Sequence, residues 1–544
     1  MTEKSSESES DSISVTGVLL AIVTLCAICL FPPMGALTPP AQRLIAVTAA
    51  MAVLWFGQCI PVAVTSLLPM FLYPLLGIAT ADQVCAPYAN KNVFLFLGGF
   101  LIALGLEQSG LHRRLALHLV SRVGSSPRAI VFGFMFTTAL LSMWISNTAS
   151  TMLMVPIALA LLKTLQESGE PGEFDEIMRR LVPPTLLGIA YGASTGGFST
   201  LIGTPTNVTF RGYWDEHFVS KGAEMISSAE WMLTFIPVSA LMLVFVGLFL
   251  TWPLRGRSRL AELSRDFFQE RLQALGPMRR SEKIVAAVFM ATAVLWTFRV
   301  PLKFDNWELL PGWTNLLANA GTRLGIDLSF MPKYVDDASI AMGMGTLLFF
   351  LPGDPKPYST AYVPLIKWSQ ARTHIPWGML LLIGSGFAIA EAFDLTKLSD
   401  WLGSLIASSL QGQSPIILVA GICLFVTFLT EFTTNVATLN MLLPVLAGVA
   451  ADLKISPLLI LLPATISASC AYMLPVGTPP NAIVFGTGKV SMRQMASAGF
   501  VLNLIGVVVI TLALTFWAPL TMSLDRDVVI PDEPANAVID ESAQ

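Results

Sequence analysis

The chain has 544 residues, of which 54% are hydrophobic and 12% charged, and its mean hydropathy is +0.67. Soluble domains contain about 25% charged residues, so this composition excludes a water-soluble globule and predicts a protein of the lipid bilayer. The formal net charge of −4 is small for this length, so a polyanionic partner such as a nucleic acid is not expected.

Apolar runs recur along the whole chain, with lengths that suit the hydrocarbon core of a membrane. The clearest are residues 14–30, 44–61, 129–145, 231–252, 284–296 and 500–517. With about eleven spans and two re-entrant hairpins, the predicted fold is an all-α polytopic membrane protein. Residues 1–13 are acidic, unlike the start of a secretory signal, and are expected to form a cytoplasmic tail.

The first half of the chain, residues 14–252, contains three landmarks. Its predicted parts are a scaffold at 14–90, hairpin and transport elements at 91–212, and a further span at 229–252. The landmarks are the glycines Gly98 and Gly99, the polar run Ser146-Asn147-Thr148, and the loop Gly203-Thr204-Pro205-Thr206-Asn207. Polar residues in the middle of an apolar run predict that a helix unwinds there.

A basic loop, residues 253–283, separates the two halves. From residue 255 to residue 283 the chain has eight Arg or Lys and four Asp or Glu. The positive-inside rule places this loop in the cytoplasm. The acidic residues 525–544 are then expected to form an external tail, and the polar residues 300–337 to lie at the external interface.

The second half, residues 284–524, repeats the landmarks of the first half in the same order. Its predicted parts are a scaffold at 284–357, hairpin and transport elements at 373–490, and a last span at 495–520. Gly386 follows Gly99 by 287 positions, Thr434-Asn435-Val436 follows the first polar run by 288, and Gly477-Thr478-Pro479-Pro480-Asn481 follows the first loop by 274. This order and spacing predict an internal repeat.

Each polar run combines features of an anion site and of a cation site. An apolar helix resumes after each run, so the positive end of its dipole points at the break and favours an anion. The prolines of the loops lack N–H groups, which leaves carbonyl oxygens free for a small alkali cation. Of the residues in segments 129–162, 181–210, 414–451 and 455–488, only Glu431 is Asp, Glu, Lys or Arg. A multivalent anion bound there would therefore need cations beside it.

Two features keep alternative interpretations open. Glu431 could carry a coupling proton or could hold local hydrogen bonds, and Met143 occupies the matching place in the first half. The hairpin glycines Gly98 and Gly99 are more typical of close helix packing than of a binding site.

These landmarks resemble those of the divalent anion/sodium symporter family, which contains di- and tricarboxylate transporters. The resemblance covers residues 44–517 and includes the sequences FLFLGGFLIALGLEQSGLHRRLAL, SNTAS, TEFTTNVAT and MLPVGTPPNAIVFG. It implies two repeats of inverted topology, a homodimer, and a transport domain that moves as an elevator against a scaffold. The chain departs from the family pattern at Val436, where a hydroxyl residue is frequent, and at Thr206, which interrupts the usual Pro-Pro.

The resemblance also implies which residues bind ligands. The implied substrate contacts are Asn147, Thr148, Thr204, Pro205, Asn435, Thr478 and Pro479. The implied sodium sites are Ser142, Ser146, Asn147 and Gly203 in the first half, and Thr430, Thr434, Asn435 and Gly477 in the second. Sodium is the coupling ion that the family implies, and no other cofactor is expected.

The sequence therefore predicts a sodium-coupled symporter for a small anionic substrate, a C4 dicarboxylate such as succinate, malate or fumarate, in the plasma (inner) membrane. A sodium-independent dicarboxylate exchanger, a transporter of citrate or of an inorganic oxyanion such as sulfate, and a passive channel remain alternatives. An enzyme is not expected, because the sequence contains no nucleophile–base pair, His or Cys cluster or nucleotide motif.

Overall fold

A computed structural model of the protein describes residues 13–32, 37–122, 126–167, 173–252, 254, 260–304, 307–354 and 362–522. The predicted tails lie outside the described residues, apart from Ile13. Part of the predicted basic loop, residues 253 and 255–259, also lies outside them.

The described part of the first half is helical. Its helices, together with the helix of the basic loop, are α1 (Val15–Leu30), α2 (Pro39–Phe56), α3 (Val62–Thr65), α4 (Leu68–Leu75), α5 (Ala81–Cys85), α6 (Lys91–Ser109), α7 (Leu111–Arg122), α8 (Pro127–Ser142), α9 (Asn147–Glu167), α10 (Glu173–Gly197), α11 (Pro205–His217), α12 (Ser228–Thr251) and α13 (Leu260–Ala274). Two short 3-10 turns, Ala86–Ala89 and Val219–Lys221, connect some of them.

The described part of the second half is helical apart from one small sheet. Its helices are α14 (Arg280–Thr297), α15 (Trp313–Leu324), α16 (Met331–Tyr334), α17 (Asp337–Leu347), α18 (Trp368–His374), α19 (Trp377–Thr396), α20 (Leu398–Leu410), α21 (Pro415–Leu429), α22 (Asn435–Leu453), α23 (Leu458–Ala468), α24 (Pro479–Gly486), α25 (Met492–Leu512) and α26 (Ala518–Thr521). The antiparallel strands β1 (Leu302–Phe304) and β2 (Trp307–Leu310) lie in the segment predicted to be a polar external loop.

Local sequence signals set where several helices begin. Ser227 accepts a hydrogen bond from the backbone N–H of Glu230, whose carboxylate accepts one from Ser227 in return, and this capping box starts α12. Ser491 and Gln494 form the same arrangement at the start of α25. Such caps satisfy backbone N–H groups that a helix leaves without an internal partner.

Six helical stretches of the described chain are long and apolar enough to cross a membrane. They are Ala81–Ser109, Asn147–Leu165, Ser228–Thr251, Trp377–Thr396, Asn435–Leu453 and Met492–Thr521. Helices α20 and α21, bent by 117°, would make a seventh. The prediction of an all-helical, multi-span membrane protein with a re-entrant or broken helix pair is confirmed. The finer count of about eleven spans stays a prediction.

At the positions of the two predicted hairpins, pairs of helices are joined at one residue in the left-handed conformation. Gly110 (φ 81°) separates α6 from α7, and Lys397 (φ 58°), 287 positions later, separates α19 from α20. A Cβ added to Gly98 would lie 2.5 Å from the carbonyl carbon of Ala341, so α6 and α17 pack closely at this point. Close packing therefore accounts for Gly98, whereas a Cβ on Gly99 would have no atom within 4 Å.

The two halves share one core. Phe134 on α8, Phe387 on α19 and Leu461 on α23 belong to the same buried apolar cluster. The rings of Tyr191 and Tyr472, one from each half, meet edge to face with centroids 5.0 Å apart. Because their apolar side chains interdigitate, neither half buries its core alone.

Buried charges fix α11, the helix that follows the first loop, to its neighbours. Arg211 donates to Asp215 at 2.7 Å, and Lys91 at the start of α6 lies 3.1 Å from the same carboxylate. Asp337 at the start of α17 pairs with Arg299 at 2.6 Å and lies 4.0 Å from Arg211. These mutual pairings offset the cost of burying the charges.

Candidate functional site

The first polar run is a break between two helices. Helix α8 ends at Ser142 and α9 begins at Asn147. The Ser146 hydroxyl accepts a hydrogen bond from the backbone N–H of Ala149 at 3.2 Å and so caps α9. The predicted break and cap are present, and the positive end of α9 faces the interruption.

The first loop, between α10 and α11, is held by Asn207. Its side-chain nitrogen donates to the carbonyl of Thr200 at 2.7 Å and to that of Gly197 at 3.4 Å. The Thr200 hydroxyl in turn donates to the carbonyl of Met143 in the break, at 2.5 Å. These bonds fix the loop against the break.

Asn147 joins the first break to the first loop. Its amide is best satisfied with the nitrogen toward the carbonyl of Gly203 in the loop and that of Ala193 on α10, both at 3.2 Å, and toward the Ser142 hydroxyl at the end of α8, at 2.6 Å. The structure thus brings Ser142, Asn147 and Gly203 of the predicted first sodium site together. Ser146, the fourth residue of that set, caps α9 beside them.

The second break has the same construction. Helix α21 ends at Leu429, α22 begins at Asn435, and the Thr434 hydroxyl accepts from the N–H of Ala437 at 3.4 Å. The Thr430 hydroxyl lies 2.8 Å from the Asn435 side-chain oxygen, as Ser142 lies beside Asn147 in the first break. Residues that are 288 positions apart in the two breaks therefore make corresponding contacts, in addition to having similar sequences.

The second loop is held by Asn481. Its side-chain nitrogen donates to the carbonyls of Ala471 and Leu474, both at 3.0 Å. These acceptors follow those of Asn207 by the 274 positions that separate the two loops. The side-chain oxygens of Asn207 and Asn481 are buried without a hydrogen-bond partner among the described residues. The sequence predicted no role for these amides, although both loop motifs end in the same residue type.

Glu431 holds the second loop from the side. Its carboxylate accepts hydrogen bonds from the backbone N–H groups of Met473 at 2.8 Å and Leu474 at 2.9 Å, and from the Asn503 side chain at 2.7 Å. A Cβ added to Gly477 would lie 3.2 Å from this carboxylate. Of the two interpretations left open by the sequence, this geometry supports the local hydrogen-bonded one.

The predicted ligand residues differ in exposure. The partly or fully exposed ones are Ser146, Asn147, Thr148, Pro205, Thr434, Asn435 and Pro479, and the buried ones are Ser142, Gly203, Thr204, Thr430, Gly477 and Thr478. Val436, the counterpart of Thr148, is only 4% exposed. The two breaks are therefore related but not equivalent, because Thr148 alone offers an accessible hydroxyl at this position.

The helices that follow the loops cross between the halves. Helix α11 of the first half packs against α22 and α23, and α24 of the second half packs against α9 and α10. Each loop-borne helix therefore contacts the broken helix of the other half. This exchange brings the two predicted sites into one region, which the internal repeat alone did not predict.

Arg211 is a basic residue close to this region that the charge count missed. It lies one position beyond the uncharged segment 181–210, and it is 3% exposed. Its pairing with Asp215 offsets its charge. It is therefore not a free cation available to an anion in the region.

Replacing Gly203 by alanine is expected to disrupt the first predicted sodium site. A Cβ there would overlap the carbonyl oxygen of Gly197 and lie 3.0 Å from that of Ser142, and neither backbone atom can move freely. We expect a loss of about 1–3 kcal/mol in stability. The test is to measure the thermal unfolding midpoint in sodium chloride and in choline chloride. We expect sodium to raise the midpoint of Gly203→Ala by less than it raises that of the wild type. Gly99→Ala is the control, because a Cβ there meets open space; equal stabilisation in both variants would contradict the prediction.

Comparison with known proteins relates nearly the whole chain to one family. The model of the sodium:sulfate symporter transmembrane region matches residues 12–523. The sodium-dependent dicarboxylate transporter SdcS of Staphylococcus saprophyticus is 37% identical over 518 residues, which cover 95% of this chain and 93% of that protein. SdcS of Staphylococcus aureus strain USA300 is 37% identical over 488 residues, or 90% of this chain and 88% of that protein.

Solved structures with a similar fold are more distant in sequence. The YdaH transporter of Alcanivorax borkumensis superposes with a TM-score of 0.54 at 16% identity, covering 87% of this chain and 99% of that chain. MtrF of Neisseria gonorrhoeae gives a TM-score of 0.53 at 14% identity, covering 92% and 94%. These similarities concern the fold alone.

Proposed function

The chain belongs to the sodium:sulfate symporter family, and on this premise we propose that it couples sodium to the uptake of a C4 dicarboxylate such as succinate, malate or fumarate. The family consists of transporters, so the chain is a membrane transporter and not an enzyme. The similar proteins of Staphylococcus are sodium-dependent dicarboxylate transporters, which supports both the ion and the substrate class.

The observation that most supports this proposal is the paired arrangement of break and loop. At each break a helix N-terminus, which favours negative charge, lies beside an Asn side chain and a hydroxyl group, and at the first break also beside the carbonyl of Gly203. Such oxygen atoms suit a hard cation. Substrate carboxylates would contact groups at the breaks and the loops, most of them at least partly exposed. These are Asn147, Thr148, Thr204, Pro205, Asn435, Thr478 and Pro479.

Sodium would bind at the buried side of each break, beside hydroxyl and carbonyl oxygens. At the first break the Asn147 amide would turn its oxygen toward the ion, because its nitrogen otherwise faces Ser142 and Gly203. The first site would use Ser142, Ser146, Asn147 and Gly203, and the second Thr430, Thr434, Asn435 and Gly477. The four segments that form the region contain no Lys or Arg, and the adjacent Arg211 is paired with Asp215. A dicarboxylate would therefore depend on sodium and helix ends for neutralisation, which is a physical reason for coupled transport.

The proposed movement is an elevator motion within a homodimer in the plasma membrane, as the family resemblance implies. The scaffold would comprise residues 14–90 and 284–357, and the moving part residues 91–212 and 373–490. The close contact between Gly98 of α6 and Ala341 of α17 lies on the boundary between these parts. The glycine lets the two helices approach each other closely at this boundary.

Uptake of labelled succinate into proteoliposomes tests the proposal. We expect an inward sodium gradient to drive accumulation, and replacement of sodium by choline to reduce uptake to the level of protein-free vesicles. Equal uptake in choline would contradict sodium coupling. Sodium-independent counterflow of preloaded succinate would then identify an exchanger instead.

Sulfate is a second candidate substrate, because the family description names a sodium:sulfate symporter. A ligand stabilises the state that it binds, so thermal unfolding in the presence of succinate, citrate or sulfate ranks the candidates. Each anion should be measured with sodium and with choline. Stabilisation by sulfate but not by succinate would replace the dicarboxylate assignment.

A further inference from the structure

Thr206 and Ser469 form a hydrogen bond between the two halves. Their hydroxyl oxygens are 2.8 Å apart, and both side chains are buried. Thr206 lies on the first turn of α11 and its hydroxyl also reaches that of Thr204, at 3.4 Å. Ser469 follows the last residue of α23. The bond therefore ties the first loop to a segment of the second half.

From Ser469 the contacts continue to the second break. The carbonyl of the preceding residue, Ala468, lies 3.2 Å from the Thr430 hydroxyl, which lies 2.8 Å from the Asn435 side-chain oxygen. A threonine hydroxyl has one proton, so Thr430 can donate fully to only one of these two oxygens. A cation that draws on Asn435 would favour donation to Ala468, next to Ser469. Binding at the second break can thus alter the segment that holds Thr206.

The hydrogen bond is present at only one of the two positions that the internal repeat relates. The counterparts of Thr206 and Ser469, displaced by the same 274 positions, are Pro480 and Thr195. Proline has no hydroxyl, and the Thr195 hydroxyl bonds instead to that of Tyr472 at 2.8 Å. Consistently, the Thr478 hydroxyl is buried without a partner among the described residues, whereas its counterpart Thr204 has Thr206. Thr206 therefore makes a contact that its counterpart in the second half, Pro480, cannot make.

We propose that Thr206 is a positioning residue that couples the two ion sites through Ser469, so that occupation of one site raises the affinity of the other. This inference rests on the proposed sodium sites. The coupling acts in both directions, because linkage between two binding equilibria is reciprocal. A buried hydrogen bond of ordinary strength corresponds to about a fivefold change in an equilibrium constant, and coupling of this size is measurable.

The sodium dependence of uptake in proteoliposomes tests the proposal with Thr206→Val, Thr206→Ser, Ser469→Ala and the double variant Thr206→Val with Ser469→Ala. We expect Thr206→Val and Ser469→Ala each to lower the Hill coefficient for sodium and to raise the half-saturating sodium concentration by about fivefold. The double variant should lose no more than either single variant. Thr206→Ser keeps the hydroxyl and should retain the wild-type curve. The control is Thr209→Val, which removes a buried hydroxyl of α11 that has no partner among the described residues.

Two results would overturn the proposal. The first is a sodium-dependent wild type whose Hill coefficient is unchanged in both single variants. The second is an effect of the double variant equal to the sum of the two single effects. A wild type without any sodium dependence would instead refute the proposed function, and the coupling with it. Ser469→Ala removes a single oxygen atom, so this variant keeps the test valid should Thr206→Val fail to fold.

Discussion

Replacing Asn147 or Asn435 by alanine is expected to abolish transport. The Asn147 amide reaches the carbonyl of Gly203, and the Asn435 side-chain oxygen pairs with Thr430, so each side chain organises one break. Loss of a ligand or of its support typically lowers metal affinity by about 10–100-fold. Because the proposed transport requires both sites at once, we expect uptake of labelled succinate to fall to background in either variant.

Folding must be measured alongside uptake, because both side chains are partly buried. Each variant loses hydrogen bonds worth about 1–3 kcal/mol, and thermal unfolding should therefore show a lower midpoint with a single cooperative transition. Asn319→Ala, at an exposed position of α15, is the control and should behave as the wild type. Wild-type uptake in both Asn147→Ala and Asn435→Ala would refute the proposed site.

The sequence predicted the breaks well because their signals are local. A cap such as Ser146 or Thr434 acts within one helical turn, so its effect is visible in a few neighbouring residues. The repeat then added long-range information, since the same spacing applies to the contacts of Asn207 and Asn481. When two related segments fold alike, the contacts of one segment indicate those of the other, even though neither sequence alone shows which residues it will contact.

The remaining contacts of the site depend on segments that are distant in sequence. Glu431 is bound by Met473 and Asn503 of the same half, and Thr206 by Ser469 of the other half. Each pair forms only after segments that are far apart in the chain pack together. Hydropathy and spacing contain no information about such pairs. The same reason explains why the sequence did not predict that α11 and α24, the helices after the loops, each pack against the broken helix of the other half.

The number of spans is hard to predict for a related physical reason. Helices α8, α21 and α23 have 16, 15 and 11 residues, and each ends at or near a break or loop of the site. A complete span needs about 20 residues. Helices shortened by polar breaks therefore fall below the length that identifies a span, although they are apolar.

Glu431→Gln is expected to destabilise the protein and to impair transport. The carboxylate accepts three N–H hydrogen bonds in a buried position, from Met473, Leu474 and Asn503. Glutamine offers one oxygen, and its NH₂ group would face at least one of these donors. Leaving a buried donor without an acceptor costs about 1–3 kcal/mol, so the unfolding midpoint should fall. The second loop would lose its support, and sodium-dependent uptake of succinate should fall with it.

This substitution also separates the two roles considered for Glu431. Glutamine imitates a protonated carboxyl group. If Glu431 only carries a coupling proton, the variant should lose little stability, and the pH dependence of its uptake should disappear. If the carboxylate supports the loop, Glu431→Gln should instead be less stable than the wild type at every pH at which Glu431 of the wild type is ionised. Glu107→Gln, at an exposed position of α6, is the matched control and should leave both properties unchanged. Unchanged stability of Glu431→Gln with altered pH dependence would contradict the supporting role that the three hydrogen bonds indicate.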